Sequence, residues 1–350
     1  MLNLFTMAMI QKVGIDLGTA NSVVYLAGSG IVLAEPTVVA VTVEDNRVVA
    51  VGNEAKEMLG RTPENIVASK PMRDGVIADY VVTEAMLRYF LQKVAGRNLI
   101  FKPDVMICVP AGCTQVERRA VEDATYAAGA REVYIIHEPF AAALGAGVPV
   151  GEASGNMIVD MGGGSSEAAV ISLGGVVVAK GIRVAGNSLD DAIAGFVRKK
   201  HGLVVGERMA EEIKINLGRA SSEVETTNHE PRTTNQKMRV KGRDSIQGLP
   251  KSVEVTAEEI EEAIKPKLSQ IVGMVKSVLE EIPPELSSDI IDKGIVMSGG
   301  TSLLTNLDKL LTAETGVPCH IAEEPMLCVA RGTGIALDNL ELYKRAISKR

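Results

Sequence analysis

Short apolar runs rich in Val and Ile alternate along the chain with amphipathic stretches, and this alternation predicts mixed α/β domains. We expect strands at 13–16, 23–27, 38–43, 105–109, 157–160, 168–172 and 294–297. Residues 221–251 are polar and predict a loop that leads into short paired strands. The apolar residues that alternate in the paired part are Met238, Val240, Val253 and Val255.

Two helices are predicted by their start signals. Thr114 with Glu117, and Thr256 with Glu259, match the capping box, in which each side chain satisfies a free backbone donor at the helix start. The first helix should run to about residue 129. The second carries an apolar stripe that should face the core, and Pro266 within it should kink or divide the helix. The stripe consists of Ile260, Ile264, Leu268, Ile271, Val275 and Leu279.

Composition describes a globular chain and excludes several classes of protein. The 350 residues are 46% hydrophobic and 23% charged, a size that predicts about two domains. A formal net charge of -7 argues against nucleic acid as a partner, since that binding depends on neutralising phosphates. The four cysteines form no CxxC pair, so a zinc site or disulfide framework is not expected. No apolar run reaches the roughly 18 residues that span a bilayer, and we expect a cytoplasmic protein.

An internal repeat is the most informative pattern in the chain. Residues 13–21 resemble residues 158–166, because each segment reads as a strand, an Asp-x-Gly turn and the start of a second strand. Just under half the chain separates the two copies. This spacing predicts two related lobes that face each other across a cleft, where a ligand would bind.

The repeated turns have the chemistry of a phosphate site. Glycine after a strand lets consecutive backbone N–H groups converge on phosphate oxygens. An aspartate that ends the strand supplies a hard oxygen for Mg²⁺, directly or through water, and the candidates are Asp16 and Asp160. The glycines are Gly18, Gly162, Gly163 and Gly164, and further donors are Thr19, Asn21, Ser165 and Ser166. Two ordinary glycine-rich hairpins are the alternative, and the duplication argues against it.

A third glycine motif follows the strand predicted at 294–297. It consists of Ser298, Gly299, Gly300, Thr301 and Ser302, and it leads into an apolar stripe of Leu303, Leu304, Leu307 and Leu310. The pattern predicts small residues at a helix N-terminus, where a flat adenosine can approach the backbone. A plain turn in which Thr301 or Ser302 caps the helix is equally compatible with the pattern.

Together these motifs resemble the superfamily of actin, sugar kinases and heat-shock chaperone ATPases, and within it the MreB family of bacterial actins. The resemblance runs from about residue 14 to residue 345. The segments that carry it are the phosphate loops 16–21 and 160–167, the adenosine motif 298–302, a connecting segment 137–143, a nucleotide-contacting helix 206–214 and a hairpin 242–251.

The resemblance implies an α/β, actin-like ATPase fold: two duplicated ribonuclease-H-like lobes, each with a smaller inserted subdomain, around a nucleotide cleft. On this chain, subdomain IA would comprise 1–39, 73–152 and 335–350, and subdomain IB 40–72. Subdomain IIA would comprise 153–188 and 253–334, and subdomain IIB 189–252.

The implied function is that of a cytoskeletal ATPase that uses ATP and Mg²⁺ and polymerises with copies of itself. Its filaments would associate with the cytoplasmic face of the inner membrane and organise cell-wall synthesis, together with membrane-linked shape proteins, to maintain a rod shape. A small-metabolite kinase using the same cleft is the alternative, although no signal for an acceptor pocket or its general base is present. A chaperone ATPase is disfavoured because no substrate-binding segment follows the last predicted helix.

The resemblance also implies roles for individual residues. Glu138 would orient the attacking water, with Asp160 and Ser166 as the other catalytic residues. Ala20 belongs to the first phosphate loop, and Glu211, Glu212, Ile213 and Lys214 would line the nucleoside pocket. Two alternatives remain from the residues alone: Glu138 as a helix-start acid before Pro139, and Glu211 with Lys214 as an exposed ion pair. Ser165 and Ser166 stand where the family usually has two threonines.

Two segments are candidate membrane contacts. Leu2 and Phe5 lie on one face of an interfacial helix, if residues 1–10 form one, although a disordered start is the alternative. Leu99, Ile100 and Phe101 resemble a membrane-contacting loop of the family, and a place in the core is the alternative.

Overall fold

Two mixed β-sheets, of six and five strands, form the centre of the molecule and share an equivalent order over five strands. The structure is a computed structural model that describes residues 10–96, 102–221 and 236–349. The strands are β1 Lys12–Leu17, β2 Asn21–Leu26, β3 Gly30–Pro36, β4 Val39–Thr42, β5 Val48–Val51, β6 Ile66–Ser69, β7 Met72–Arg73, β8 Val76–Ile77, β9 Asp104–Val109, β10 Glu132–His137, β11 Asn156–Met161, β12 Ser166–Ser172, β13 Gly175–Ile182, β14 Leu203–Val204, β15 Lys237–Asp244, β16 Pro250–Thr256, β17 Ile295–Ser298, β18 Cys319–Ile321 and β19 Ile347–Lys349.

The helices connect and cover these sheets. They are α1 Asn53–Met58, α2 Tyr80–Ala95, α3 Gln115–Ala128, α4 Glu138–Gly145, α5 Gly186–His201, α6 Glu207–Leu217, α7 Ala257–Leu279, α8 Pro284–Lys293, α9 Leu307–Thr315 and α10 Cys328–Asp338. Short 3₁₀ turns occupy Gly300–Leu303 and Pro325–Leu327. None of these described helices is long and apolar enough to cross a bilayer.

The sheet topology confirms the duplication expected from the sequence. The first sheet has the order β19-β10-β9-β1-β2-β3 and the second has the order β13-β12-β11-β17-β18. In each, three consecutive strands form an antiparallel meander, and the first of them pairs in parallel with a strand from later in the chain. Since parallel strands end at the same edge, the turns after β1 and β11 occupy equivalent places in the two lobes.

Each lobe also carries a smaller three-stranded sheet. The strands β4 to β6 lie between β3 and β9 in the chain, and β14 to β16 lie between β13 and β17. The expected hairpin is confirmed, since Met238 faces Val255 and Val240 faces Val253 across β15 and β16.

Helices α4 and α10 lie between the two main sheets and hold them in a fixed relation. Their apolar residues share one core with residues of both sheets, such as Ile136 and Ile158. Glycines allow the two helices to approach closely: a Cβ at Gly332 would lie 1.8 Å from the carbonyl oxygen of Ala141. The two sheets therefore pack against the same pair of close-packed helices, which leaves them little freedom to slide.

Both capping boxes are confirmed, but the expected division at Pro266 is wrong. Helix α7 continues through the proline, and the structure gives it no break. A proline inside a helix costs about 3 kcal/mol or more. Burial of each large aliphatic side chain contributes about 1.5 to 3 kcal/mol. Five residues of the stripe are fully buried, so packing outweighs the lost hydrogen bond; these are Ile260, Ile264, Leu268, Ile271 and Val275.

Candidate functional site

The turn between β1 and β2 touches the turn between β11 and β12. A Cβ added at Gly163 would lie 2.5 Å from the Cβ of Ala20, and one at Gly164 would lie 2.4 Å from Oγ1 of Thr19. Such distances are below any normal contact, so only glycine allows the two turns to come this close. The structure thus brings the two Asp-x-Gly motifs together, as the repeat predicts.

Two further loops join the same place. The backbone N–H of Gly75, in the turn between β7 and β8, donates to Oγ1 of Thr19 at 2.9 Å. A Cβ at Gly75 would lie 2.9 Å from Cγ of Pro110 and 3.1 Å from Oγ of Ser165. Four chain segments therefore converge where a phosphate group would meet glycine backbone.

The first turn is held in shape by Thr37 and by close contact within its own backbone. Gly18 accepts a 2.6 Å hydrogen bond from Oγ1 of Thr37 at its carbonyl, and a Cβ at Gly18 would lie 2.5 Å from the carbonyl oxygen of Asn21. Asn21 is the exposed first residue of β2. Gly18 therefore serves the tightness of the turn, and the amide of Asn21 is free to face solvent or a ligand.

Asp16 and Asp160 sit at matching positions, near the ends of β1 and β11. Burial raises the pKa of Asp16 to about 7, and the negative charge of Asp160 adds to the rise. Burial also raises the pKa of Asp160 to about 6, opposed by Ser298, whose Oγ donates to Oδ1 of Asp160 at 2.6 Å. The Cys108 thiol donates to Oδ1 of Asp16 at 3.6 Å.

Two glutamates complete an acidic group in the cleft. Glu138 is the first residue of α4 and precedes Pro139, so its place at a helix start is confirmed. Burial raises the pKa of Glu138 well above its ordinary value, and the charges of Glu167, Asp16 and Asp160 add to this. Glu167 is 2% exposed, and burial raises its pKa to about 7.

These four carboxylates fit a cation brought by a ligand. None of the four takes part in an ion pair with Lys or Arg within the described residues, so their charges are left uncompensated. No described group of three or more His, Cys, Asp or Glu side chains could hold a metal alone. Mg²⁺ usually binds one or two carboxylates and fills its shell with water and substrate phosphates. The pair Asp16 and Asp160 suits that arrangement.

The two serines of the second loop have different surroundings. Ser166 is fully buried at the start of β12, and its Oγ donates to the carbonyl oxygen of Val184 at 2.7 Å. Ser165 is partly exposed and faces the Gly75 turn. Of the two hydroxyls, that of Ser165 is the one left available to a ligand.

The third glycine motif differs in part from its prediction. A 3₁₀ turn follows Gly299, and the helix α9 begins only at Leu307 after the left-handed Asn306, so the expected helix N-terminus at the motif is wrong. The motif instead turns tightly against β11, where a Cβ at Gly299 would lie 2.3 Å from the carbonyl oxygen of Met161.

The hydroxyls of the third motif hold backbone atoms. Thr301 donates through Oγ1 to the carbonyl oxygen of Gly162 at 2.7 Å, and Ser302 donates through Oγ to that of Gly299 at 2.6 Å. Neither residue caps a helix, so that alternative is also wrong. Thr301 ties the third motif to the second phosphate loop, which leaves Gly300 as its least obstructed member.

Helix α6 presents one charged face to its neighbours. Glu211 and Lys214 do not pair with each other, contrary to the ion-pair alternative. Nζ of Lys56 in α1 lies 3.0 Å from Oε2 of Glu211, and Nζ of Lys214 contacts Asp190 at 2.9 Å. A second pair joins the same two lobes, with Nζ of Lys70 donating to Oε2 of Glu207 at 2.6 Å.

The other two predicted residues of α6 point elsewhere. Ile213 is fully buried in the core of the second lobe, and Glu212 is exposed. Helical spacing puts both off the face shared by Glu211 and Lys214. The candidate membrane residues Leu2, Phe5, Leu99, Ile100 and Phe101 lie outside the described residues.

Sequence reasoning missed four residues of the site. Glu167 and Ser298 stand inside the quoted motifs, and a polar residue in an apolar strand was a usable signal for both. Cys108 and Asp190 gave no such signal, because only the folded chain brings them to Asp16 and Lys214.

Two lobes of this topology around paired Asp-x-Gly turns define the class of actin-like nucleotide-binding proteins. The profile of the MreB/Mbl protein family matches residues 10–345. The chain belongs to this family. It is 47% identical over 348 residues to the cell shape-determining protein MreB of Escherichia coli, covering 98% of each chain. It is 46% identical over 339 residues to the cell shape-determining protein Mbl of Bacillus subtilis, covering 97% of this chain and 99% of that one.

Solved structures agree with this placement. MreB5 of Spiroplasma citri bound to AMPPNP superposes with a TM-score of 0.87 at 34% identity, covering 95% of this chain and 97% of that one. The same protein bound to ADP superposes with a TM-score of 0.86, covering 95% of this chain and 98% of that one. The MamK double helical filament shares the fold, with a TM-score of 0.76 at 19% identity and 94% and 98% coverage. The chain is thus an actin-like cytoskeletal protein, and the kinase alternative is not favoured.

Proposed function

We propose that this chain hydrolyses ATP with Mg²⁺ in the cleft between its lobes and polymerises with copies of itself to maintain cell shape. The observation that carries the proposal is the convergence of the two Asp-x-Gly turns beside four uncompensated carboxylates. Relatives named for cell-shape determination and structural neighbours bound to AMPPNP and ADP support it.

The protein groups have separate tasks in this proposal. Backbone N–H groups of the glycine turns bind the phosphates, and Asp16 and Asp160 hold the cation through water or directly. When bound, Mg²⁺ neutralises the charge that develops on the transferred phosphoryl group. Glu138 orients the attacking water and accepts its proton, and burial raises its pKa, which makes its carboxylate a stronger base than an exposed one.

We propose that the nucleoside lies against the second lobe. The 3₁₀ turn at Gly300 presents open backbone, and Glu211 and Lys214 present polar groups from α6. Lys214 is held by Asp190 and by the carbonyl oxygen of Gly186, at 2.9 and 3.0 Å. We assign these groups to the ribose and base of the nucleotide.

We propose the subdomain boundaries expected from the sequence with one change. Strand β16 pairs with β15 as far as Thr256, so we extend subdomain IIB from 252 to 256, and the second segment of subdomain IIA then begins at 257.

Phosphate release from the Glu138→Ala variant tests the catalytic part. We expect nucleotide affinity to stay within a few-fold of the unchanged protein and single-turnover phosphate release to fall by about tenfold or more, as loss of a transition-state contact requires. Glu262→Ala, an exposed change on α7, is the control and should release phosphate normally. Normal release from the Glu138 variant would remove this residue from the reaction.

Electron microscopy with Mg²⁺-ATP tests assembly. Filaments are the expected result, and persistent monomers at all protein concentrations would contradict the proposal.

Asp160→Ala should weaken Mg²⁺-dependent nucleotide binding in calorimetry, whereas unaltered affinity would count against its place at the cation.

Association with the inner membrane is a further part of the proposal. It is supported by the apolar residues Leu2 and Phe5 and by the segment 99–101, whose sequence resembles a membrane loop of the family. Each contact is weak alone, and a filament would multiply it. Sedimentation with liposomes should fall when these five residues are made polar. Unchanged pelleting would reject membrane contact, and with it the link to membrane-bound cell-wall synthesis.

A further inference from the structure

Glu167 makes a direct contact between the two lobes. It lies on β12 of the second sheet, and its carboxylate accepts the backbone N–H of Ala111, at 2.9 Å through Oε1 and 3.1 Å through Oε2. Ala111 belongs to the loop that follows β9 of the first sheet. A charged acceptor makes this bond stronger than one between neutral groups.

The second lobe has a place shaped for this side chain. Glu167 pairs with Gly181 across β12 and β13. A Cβ at Gly181 would lie 2.9 Å from Oε1 of Glu167 and 3.3 Å from its Cγ. Glycine at 181 therefore leaves room for the glutamate to bend toward the other lobe, and any larger residue would push it away.

The loop that Glu167 holds adjoins Glu138. Strands β9 and β10 are parallel, with Val109 opposite His137, so the residues that follow each strand are neighbours. Pro110 and Glu138 therefore lie side by side, each directly after its strand. A shift of the loop would thus be passed to Glu138.

We propose that Glu167 is a positioning residue for ATP hydrolysis, which ties the second phosphate loop's strand to the 110–112 loop and so fixes Glu138 across the lobe boundary. This inference rests on the proposed function. Loss of the Glu167 contact should impair the chemical step more than nucleotide binding, because the contact lies on the Glu138 side of the cleft.

Three variants separate contact from charge. Glu167→Ala removes both, and Glu167→Gln keeps an oxygen that can accept from Ala111 while it loses the charge. Gly181→Ala displaces the glutamate without altering it and serves where Glu167→Ala does not fold. Glu262→Gln is the matched surface control. Each is measured for nucleotide affinity, single-turnover phosphate release between about pH 5.5 and 8.5, and hydrogen exchange of the peptide that contains Ala111.

We expect Glu167→Ala to slow phosphate release about tenfold or more, with affinity changed by less than about threefold, and to speed exchange at Ala111. Glu167→Gln should restore part of the protection at Ala111 and part of the rate of phosphate release. Unchanged exchange in Glu167→Ala, or phosphate release no faster in Glu167→Gln than in Glu167→Ala, would overturn the inference. Absence of phosphate release from the unchanged protein would overturn the proposed function instead, and hydrogen exchange would still decide the contact.

Discussion

Oγ of Ser298 donates a buried 2.6 Å hydrogen bond to Oδ1 of Asp160, which joins the third glycine motif to the aspartate of the second phosphate loop. The two residues are also neighbours in register across β11 and β17. Because a hydrogen bond stabilises the charged form of the acceptor, Ser298 keeps the pKa of Asp160 lower than burial alone would set it. The third glycine motif and the proposed cation site are therefore linked.

Ser298→Ala should weaken Mg²⁺-nucleotide binding in a pH-dependent way. Without the hydroxyl, the pKa of Asp160 rises above about 6, and the cation must displace a proton. A hydrogen bond to a charged group contributes about 1.5 to 3 kcal/mol, so affinity near pH 6 should fall by about tenfold or more. The loss should shrink near pH 8. Calorimetry at both pH values measures this, with Ser287→Ala on the surface of α8 as the control. An equal loss at both pH values would contradict it.

The sequence identified the parts of the site that are local in the chain. The hairpins at Asp16 and Asp160 could be found because strand, turn and glycine follow one another within nine residues. The contact of Lys56 with Glu211 could not be found, since 155 residues separate them and charge patterns carry no long-range register. The turn at Gly299 was mistaken for a helix start because its left-handed backbone depends on the neighbouring β11.

The nucleotide-free protein should be more stable near pH 6 than near pH 8. Asp16, Asp160 and Glu167 have folded-state pKa values of about 7, 6 and 7, above their ordinary values of 3.8, 3.8 and 4.5. An acid with a raised pKa stabilises the fold fully below its unfolded pKa, and this contribution is lost as the pH rises through the folded pKa. Thermal unfolding with a chelator present should therefore give a Tm that falls across this range.

Bound Mg²⁺-ADP should make the Tm depend less on pH, since the cation then neutralises the carboxylates in place of protons. Asp160→Asn should also flatten it, because an amide does not titrate. Tm values that rise from pH 6 to pH 8 without nucleotide would show that these carboxyls are solvated, contrary to their burial.

Gly164→Ala should separate the two phosphate loops. Its Cβ would lie 2.4 Å from Oγ1 of Thr19 and 3.0 Å from Cα of Asp74, and the second of these is backbone that cannot rotate away. We expect nucleotide affinity to fall about tenfold or more, with a lower Tm. Gly273→Ala in α7 is the matched control, since its Cβ meets nothing within 4 Å. That change should leave affinity unaltered and stabilise the helix by about 0.5 to 1 kcal/mol. Equal affinities in the two variants would disprove the close approach.

The two ion pairs that join α6 to the first lobe should slow the release of nucleotide from the cleft. Lys56 meets Glu211 at 3.0 Å, and Lys70 meets Glu207 at 2.6 Å, and both pairs join α6 to the first lobe. Exposed pairs contribute about 0.2 to 1 kcal/mol each, so a single charge reversal should speed release by no more than about fivefold. The effects of the two charge reversals on the release rate should add, because the pairs have no partner in common.

Stopped-flow release of a fluorescent nucleotide from Lys56→Glu and Lys70→Glu measures this effect. Lys276→Glu is the control, since it breaks a pair of similar exposure with Glu314 that lies outside the cleft. Salt should speed release from the unchanged protein and slow release from the double variant, because screening weakens the ion pairs in the first and the new Glu–Glu repulsions in the second. A double variant that releases nucleotide at the unchanged rate, with the same salt dependence, would show that the pairs do not hold the cleft closed.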